Sequence, residues 1–339
     1  MRYKIWTSIA GAVGLLLLIL DSKTAVFGAR EALSLCLLTV IPTLFPFFLC
    51  SILLTSGLGG VRLSVLRPLG RFLRIPRGSE HMFLVGALGG YPTGAQSVTD
   101  GYCNGQLSKQ EARRMLGFCS NAGPSFLFGI AGLCFTSPVC PWLLWLIHLV
   151  SALLTGFILP GGSQNTCRFS GGTTVTLPEA LKRSLRITAQ VCGWIIIFRV
   201  VLAFLQRWFL WMLAPQDQIF LHGVLELTIG CFSLTQLQCE GLRFILCAGF
   251  LAFGGLCVTM QTLSVTAPIG LGMYLPGKFL QTLISLFLAG FIQEFVFSGE
   301  LQFYPGLSFY LILPIIGGIF LFFLYKREKS SSIWKLNRV

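Results

Sequence analysis

The stretch that decides the fold is HMFLVGALGGYPTGAQSVT, residues 81–99. It is apolar enough to lie within a bilayer, but Gly89, Gly90 and Pro92 interrupt it. A Gly-Gly pair lets the chain leave helical geometry, and proline removes an amide donor and ends a helix. The freed backbone groups cannot face lipid, because an unsatisfied polar group is costly there. The stretch therefore predicts a helix that is broken at membrane depth and enclosed by protein.

A second apolar stretch, residues 244–265, carries a similar interruption. Residues 89–96 (GGYPTGAQ) and 254–261 (GGLCVTMQ) both follow the pattern G-G-x5-Q. One broken apolar segment in each half is typical of transporters built from two repeats, which bind solute near the bilayer midplane. The alternative is that the glycines only allow close helix packing and the glutamines only cap broken helices. The repeat favours a shared polar cavity.

A third interruption, SNAGPS at residues 120–125, lies inside another apolar stretch. Pro124 deprives the carbonyl about four residues earlier of its partner. Nearby hydroxyl and amide groups can satisfy that carbonyl or bind a solute, whereas a simple proline kink is the alternative. The predicted solute-binding residues, which include one carboxylate from a later span, are Gly89, Gly90, Tyr91, Pro92, Thr93, Gly94, Gln96, Asn121, Pro124, Ser125, Glu226, Gly254, Gly255, Thr259 and Gln261.

Composition sets the class of protein. Of the 339 residues, 54% are hydrophobic and 11% are charged, whereas soluble domains are about 25% charged. A soluble core could not bury that much apolar surface, so the solvent must be lipid. We predict an all-α polytopic membrane protein with roughly eight to ten spans. Besides the broken segments 81–99 and 244–265, spans are predicted at 5–20, 33–57, 115–136, 141–160, 187–212, 219–237, 276–297 and 307–325.

The net charge of +13 falls in short basic runs between apolar segments, mainly at residues 62–77, 182–186 and 326–329. Nucleic-acid binding would place such charge on a polar domain, so we exclude it. Runs of this kind mark cytoplasmic loops under the positive-inside rule. The N-terminus, residues 60–80, residues 161–186 and the C-terminus are therefore predicted to be cytoplasmic.

Two ionisable residues, Arg199 and Glu226, lie within predicted spans. A charge at membrane depth should be paired or face water. We predict that the two residues form an ion pair, with snorkelling of Arg199 to an interface as the alternative.

Motifs for catalysis and for cofactors are missing from the sequence. It contains no HExxH, no nucleophile elbow and no phosphate-binding loop, so no catalytic residue, metal or cofactor is predicted. The twelve cysteines are scattered without a CxxC pair, which is typical of small packing residues.

Residues 90–95 (GYPTGA), residues 105–108 (GQLS) and residues 253–256 (FGGL) with Gln261 resemble the YlbJ-type sporulation integral membrane proteins, which carry nucleoside-recognition (Gate) domains. Similar domains occur in concentrative nucleoside transporters and ferrous-iron permeases. The resemblance implies a transport-like helical fold with two gate-like repeats of broken or re-entrant helices. The implied organisation is an N-terminal span at 1–30, repeats at 31–160 and 187–325, a cytoplasmic linker at 161–186 and a basic tail at 326–339.

The resulting functional hypothesis is a permease that moves a small polar solute through a cavity between the broken segments. The alternative is a non-transporting scaffold for a sporulation complex, built on the same fold. The expected location is the bacterial cell membrane, in the mother cell or forespore. The expected partners are the lipid bilayer, an unidentified small polar solute and other sporulation membrane proteins. A scaffold would tolerate loss of Gln96, Asn121 and Gln261, while a permease would not.

Overall fold

The computed structural model describes residues 2–58, 64–162 and 175–297. The predicted span 307–325 and the tail 326–339 lie outside these ranges. Within them the chain is helical and contains no strand. The α-helices are α1 Arg2–Leu20, α2 Ser22–Leu35, α3 Ile41–Leu58, α4 Arg67–Phe72, α5 His81–Gly89, α6 Thr93–Cys103, α7 Lys109–Cys119, α8 Pro124–Gly129, α9 Cys140–Ile158, α10 Leu177–Trp208, α11 Pro215–Leu225, α12 Leu227–Ser233, α13 Glu240–Phe253, α14 Gly255–Val265 and α15 Tyr274–Val296.

Five helical segments in the described ranges are long and apolar enough to cross a membrane. Two are composite, because a π-helical turn at Cys36–Val40 joins α2 to α3 and Gly254 joins α13 to α14. The five segments are Ser22–Leu54, Cys140–Ile158, Leu177–Trp208, Glu240–Val265 and Tyr274–Val296, and Gly11–Leu20 is a shorter apolar helix. The predicted class, an all-α polytopic membrane protein, is confirmed.

In the described ranges, three of the predicted apolar segments are divided. Segment 81–99 becomes α5 and α6, segment 115–136 becomes α7 and α8, and segment 219–237 becomes α11 and α12. For 219–237 the charge pattern favours a full crossing, and the transporter resemblance favours a segment that lies flat or half crosses; the structure divides this segment at Glu226. Its helix stops at Leu225, since Glu226 has extended backbone geometry and caps the next helix with its side chain.

Contacts near the helix ends show which ends lie on the same face of the molecule. On one face, which we call the basic face, Arg114 Nη1 donates to Leu73 O at 2.9 Å and Met273 N donates to Arg113 O at 2.8 Å. On the opposite face, Thr136 N donates to a Glu240 carboxylate oxygen at 3.0 Å. The basic face carries Arg67, Arg71, Arg74, Arg77, Lys109, Arg113 and Arg114.

Helix α10 runs antiparallel to α2 and α3, and this pairing fixes its direction. Arg207 pairs with Asp21 at 2.8 Å near the opposite face, and Gly28 packs against Ala203 and Val200. Further along the pair, Val40 and Phe48 share a core cluster with Val191 and Ile195. The N-terminal end of α10, with its basic residues 182–186, therefore lies on the basic face. The positive-inside rule predicts that this face is cytoplasmic.

Helices α5, α6, α11 and α12 are too short to cross a bilayer. They contain 9, 11, 11 and 7 residues, whereas about 20 are needed. The two members of each pair, α5 with α6 and α11 with α12, pack against each other. Hairpin 1 (α5–α6) follows and precedes basic-face loops, while hairpin 2 (α11–α12) follows Arg207 and precedes Glu240 on the opposite face. The two hairpins thus enter from opposite faces.

The order of elements in the first half of the chain repeats in the second half. This order matches the helix breaks of the two halves in a different way from the G-G-x5-Q pattern. Each half contains a long helix, a hairpin, a broken crossing and an unbroken crossing: α2–α3, hairpin 1, α7–α8 and α9, then α10, hairpin 2, α13–α14 and α15. Hairpin 1 therefore corresponds to hairpin 2, and the break at 120–123 corresponds to the bend at Gly254. The two G-G-x5-Q segments occupy different positions in the repeat.

Candidate solute-binding site

Residues from the tips of both hairpins, from the α7–α8 break and from α14 line one small cavity. Its volume is about 40 Å³, which is room for about three water molecules. Lining residues from these elements are Gly89, Gly90, Tyr91, Gly123, Ser125, Glu226, Leu227, Thr228, Val258 and Gln261. Helices α3 and α10 close the remaining side with apolar residues such as Phe48 and Ile195. We call this space the central cavity.

The tip of hairpin 1 lies against the break between α7 and α8. Gly90 has a φ of +76°, a conformation that disfavours any side chain. A methyl group added there would come within 2.9 Å of Gly123 N. The turn is closed by Thr93, whose hydroxyl and amide both donate to Gly90 O, at 2.8 and 2.9 Å. The two broken backbones are therefore packed directly on each other.

A buried lysine on α15 supports this tip. Lys278 is fully buried, and its ammonium donates to Tyr91 Oη at 2.9 Å and to Gln281 Oε1 at 2.7 Å. The ammonium also lies 5.0 and 5.9 Å from the ring centroids of Tyr91 and Tyr274, within cation–π range. Among the described residues no carboxylate forms an ion pair with Lys278. Neutral oxygen atoms and aromatic faces therefore hold this cation at membrane depth.

The same network extends to the α7–α8 break and to α9. Gln281 Nε2 donates to Asn121 Oδ1 at 3.0 Å, and Asn121 Nδ2 donates to Phe118 O at 2.8 Å. His148 Nε2 accepts from Ala122 N at 3.0 Å. Backbone groups that the broken helix leaves unpaired are thus satisfied by buried side chains, as a non-aqueous interior requires.

The tip of hairpin 2 is held by a carboxylate. Glu226 is only 2% exposed. Its Oε1 accepts from Thr228 N at 3.1 Å and its Oε2 accepts from Ile229 N at 2.8 Å. A negative charge is favourable at this position, because the first amide groups of α12 point at it. Carboxylate oxygens accept up to about four hydrogen bonds, so Glu226 keeps acceptor capacity toward the central cavity.

The predicted ion pair between Arg199 and Glu226 is wrong. Arg199 pairs instead with Glu31 on α2, whose Oε2 lies 2.5 Å from Arg199 Nη2 and 3.1 Å from Arg199 Nε. The reason is that Glu226 is already occupied by the α12 amides, while the antiparallel packing of α2 on α10 brings Glu31 opposite Arg199.

The structure brings some predicted site residues to the cavity and places the others beside it. Those lining it are Gly89, Gly90, Tyr91, Ser125, Glu226 and Gln261. Thr93 closes the hairpin turn, and Asn121 belongs to the lysine network. Pro92 is the residue that precedes α6, and Pro124 is the first residue of α8. Gly94 packs against the Cys119 carbonyl.

The second G-G-x5-Q segment contributes only its far end to the cavity. Gly254 has a φ of +81° at the bend, Gly255 packs against the hairpin 2 carbonyls, and Thr259 donates to Gly255 O at 3.0 Å. Gln96 does not line the cavity and donates instead to Asp100 Oδ1 at 2.7 Å. The two glutamines of the pattern therefore do not face one another.

Sequence reasoning did not identify Lys278, Gln281 or His148 as site residues. Lys278 interrupts the apolar segment 276–297, and an ionisable residue inside a span is a functional candidate by default. The rule that points to Arg199 and Glu226 points equally to Lys278. Gln281 follows one helical turn later, on the same face.

The fold defines a polytopic helical membrane protein. Two short helical hairpins border a small space lined mainly by apolar side chains and by a few polar groups such as Glu226 and Gln261. The chain is 34% identical over 104 residues to the sporulation integral membrane protein YlbJ of Bacillus subtilis (strain 168). The match covers 30% of this chain and 25% of that relative, so only a quarter of the relative's length is spanned. No family model matches the chain. No solved structure matches it.

Proposed function

We propose that the chain is a permease for a small polar solute, acting in the membrane of a sporulating bacterium. The observation that carries the proposal is the central cavity, to which both hairpin tips, the α7–α8 break and α14 contribute. Polar backbone at membrane depth is tolerated where it lines a protein-enclosed cavity, and broken helices of opposed repeats bind solute in transporters. The sporulation role rests on the similarity to YlbJ.

The hairpins give this site a barrier on each side. Hairpin 1 separates the central cavity from the basic face, and hairpin 2 separates it from the opposite face. With both in place the cavity holds only about 40 Å³, far below the roughly 300 Å³ of a typical ligand pocket. The described arrangement is therefore closed, and a solute larger than a few water molecules needs one hairpin to move.

The test is uptake by purified protein in proteoliposomes, with isotopically labelled urea, glycerol and glycine as probes. We expect uptake of at least one probe above that of empty liposomes. Glu226→Gln should reduce it about tenfold, since a lost charge-assisted hydrogen bond is worth roughly 1.5 kcal/mol or more. Glu294→Gln is the matched control, because Glu294 is exposed on α15.

The scaffold alternative makes the contrary prediction in cells. A scaffold needs the fold but not the carboxylate in the cavity, so Glu226→Gln present at normal abundance would support normal spore counts. A permease with that substitution would lower spore counts, and Glu294→Gln would not. Normal spore formation by the Glu226 variant, together with no uptake of any probe by the unaltered protein, overturns the permease proposal.

A further inference from the structure

A second and larger space lies between hairpin 2 and the α2–α10 pair. Its volume is about 600 Å³, many times that of the central cavity. Helix α12 separates the two spaces: its first residues, Leu227 and Thr228, line the central cavity, and Ile229, Phe232 and Ser233 line the larger space. We call this larger space the cleft.

The lining of the cleft is polar well inside the helix ends. Arg199 lies eight residues before Arg207, which is about 12 Å along α10, and Arg207 marks the opposite face through its contact with Asp21. The side chains of Arg199 and Glu31 remain 20% and 39% exposed, and both line the cleft with Gln206 and Gln236. Charged groups at such depth require water or protein partners rather than lipid.

His222, which lines the cleft, has a buried polar atom without a partner among the described residues. The residue is only 8% exposed, and its Nδ1 lies 2.8 Å from Ser233 Oγ, which links the two arms of hairpin 2. Its Nε2 has no hydrogen-bond partner among the described residues. A buried polar atom without a partner is costly. Because Nε2 has almost no accessible surface in this arrangement, a water molecule or a solute can reach it only when hairpin 2 moves.

We propose that the cleft is a water-filled vestibule that admits a small uncharged or zwitterionic solute from the opposite face, and that His222 Nε2 becomes its contact when hairpin 2 moves. The solute class follows from charge: Arg199 and Glu31 compensate each other, so the described lining favours neither anions nor cations. The identity of the occupant as a solute rests on the proposed permease function, whereas the water filling stands on the lining alone.

The water filling is tested by thiol labelling in lipid nanodiscs. Thr39→Cys places a thiol in the cleft wall. Leu37→Cys places one at nearly the same depth on the lipid side, where Leu37 is 55% exposed. A charged, membrane-impermeant methanethiosulfonate reagent reacts with thiolates in water, and mass spectrometry of the peptide identifies the modified position. We expect Thr39→Cys to react at least tenfold faster than Leu37→Cys.

The role of His222 is tested with two matched variants in the proteoliposome assay. His222→Asn retains a polar atom near Nδ1 for Ser233 and loses the Nε2 position, while His222→Gln extends a polar atom toward the Nε2 position. We expect uptake of labelled urea or glycine to fall about tenfold in His222→Asn and less in His222→Gln. Methylammonium and acetate serve as cationic and anionic probes of similar size and should be taken up more slowly.

The outcomes separate the two proposals. Equal labelling of Thr39→Cys and Leu37→Cys means that lipid or another part of the chain fills the cleft, and it overturns the vestibule. Fast labelling without uptake of any probe retains the water-filled cleft but overturns the assignment of a solute and the permease function. Uptake with equal rates for His222→Asn and unaltered protein overturns the contact at Nε2.

Discussion

At the tip of hairpin 1, the backbone of Gly90 packs on that of Gly123, and Lys278 supports Tyr91 from behind. At the tip of hairpin 2, the carboxylate of Glu226 accepts from two amides of α12. At both tips, protein groups surround the backbone that the broken helix leaves unpaired at membrane depth. At the first tip these groups are a closely packed backbone and a cation outside the cavity wall, and at the second they include an anion in the wall. The two tips therefore differ in the charge beside the broken backbone, with a cation behind the tip of hairpin 1 and an anion in the cavity wall at the tip of hairpin 2.

The largest expected effect comes from breaking the packed tip. Gly90→Ala should destabilise the protein by about 3 kcal/mol or more, because it combines an unfavourable φ with overpacking against Gly123. Gly105→Ala is the matched control: Gly105 also has a positive φ, of +70°, but an added methyl group would meet nothing within 4 Å. That control should cost only about 1 kcal/mol. Thermal unfolding in detergent measures both, and equal losses would show that the tip is not tightly packed.

The breaks themselves could be predicted from residue types. Gly-Gly with Pro92 indicated the turn of hairpin 1, and the SNAGPS run indicated the end of α7. These signals are local, since glycine and proline act on their own backbone. The break at Glu226 gave no such signal, because the residue before α12 interrupts the helix by capping and is flanked by ordinary helix formers.

The partners across the fold could not be predicted from the sequence. Glu31 and Arg199 are 168 residues apart, and Lys278 and Tyr91 are 187 apart. Their contacts depend on the packing of α2 on α10 and of α15 on hairpin 1. Local sequence patterns do not predict this packing. The two G-G-x5-Q segments occupy different positions in the repeat. The pattern predicts that Gln96 and Gln261 share a cavity, whereas only Gln261 lines it.

A smaller loss of stability is expected when the contact between Lys278 and the tip of hairpin 1 is removed. Tyr91→Phe removes an acceptor from the Lys278 ammonium and should cost about 1–3 kcal/mol. In a Lys278→Met background no buried charge loses a partner, so the same tyrosine substitution should cost less than about 1 kcal/mol. The measurement is thermal unfolding of the unaltered protein, the two single variants and the double variant. Tyr102→Phe, a partly buried tyrosine on α6, controls for loss of a hydroxyl group. Equal costs in both backgrounds would mean that Tyr91 and Lys278 do not interact.

The smallest expected effect on stability concerns Arg199, the charged residue beside the tip of hairpin 2. Glu226 is held by backbone amides, and Arg199 is held by Glu31, so the two carboxylates should respond differently to loss of the guanidinium. Replacing Arg199 and Glu31 by glutamine, singly and together, should give a coupling energy of about 0.2–1 kcal/mol, because the pair is partly exposed. Arg199→Gln combined with Glu226→Gln should instead be additive to within about 0.5 kcal/mol. Unfolding of the six proteins under one condition gives both coupling energies. A larger coupling of Arg199 to Glu226 than to Glu31 would mean that the tip carboxylate turns toward the cleft. Hairpin 2 would then be secured by an ion pair rather than by its own helix.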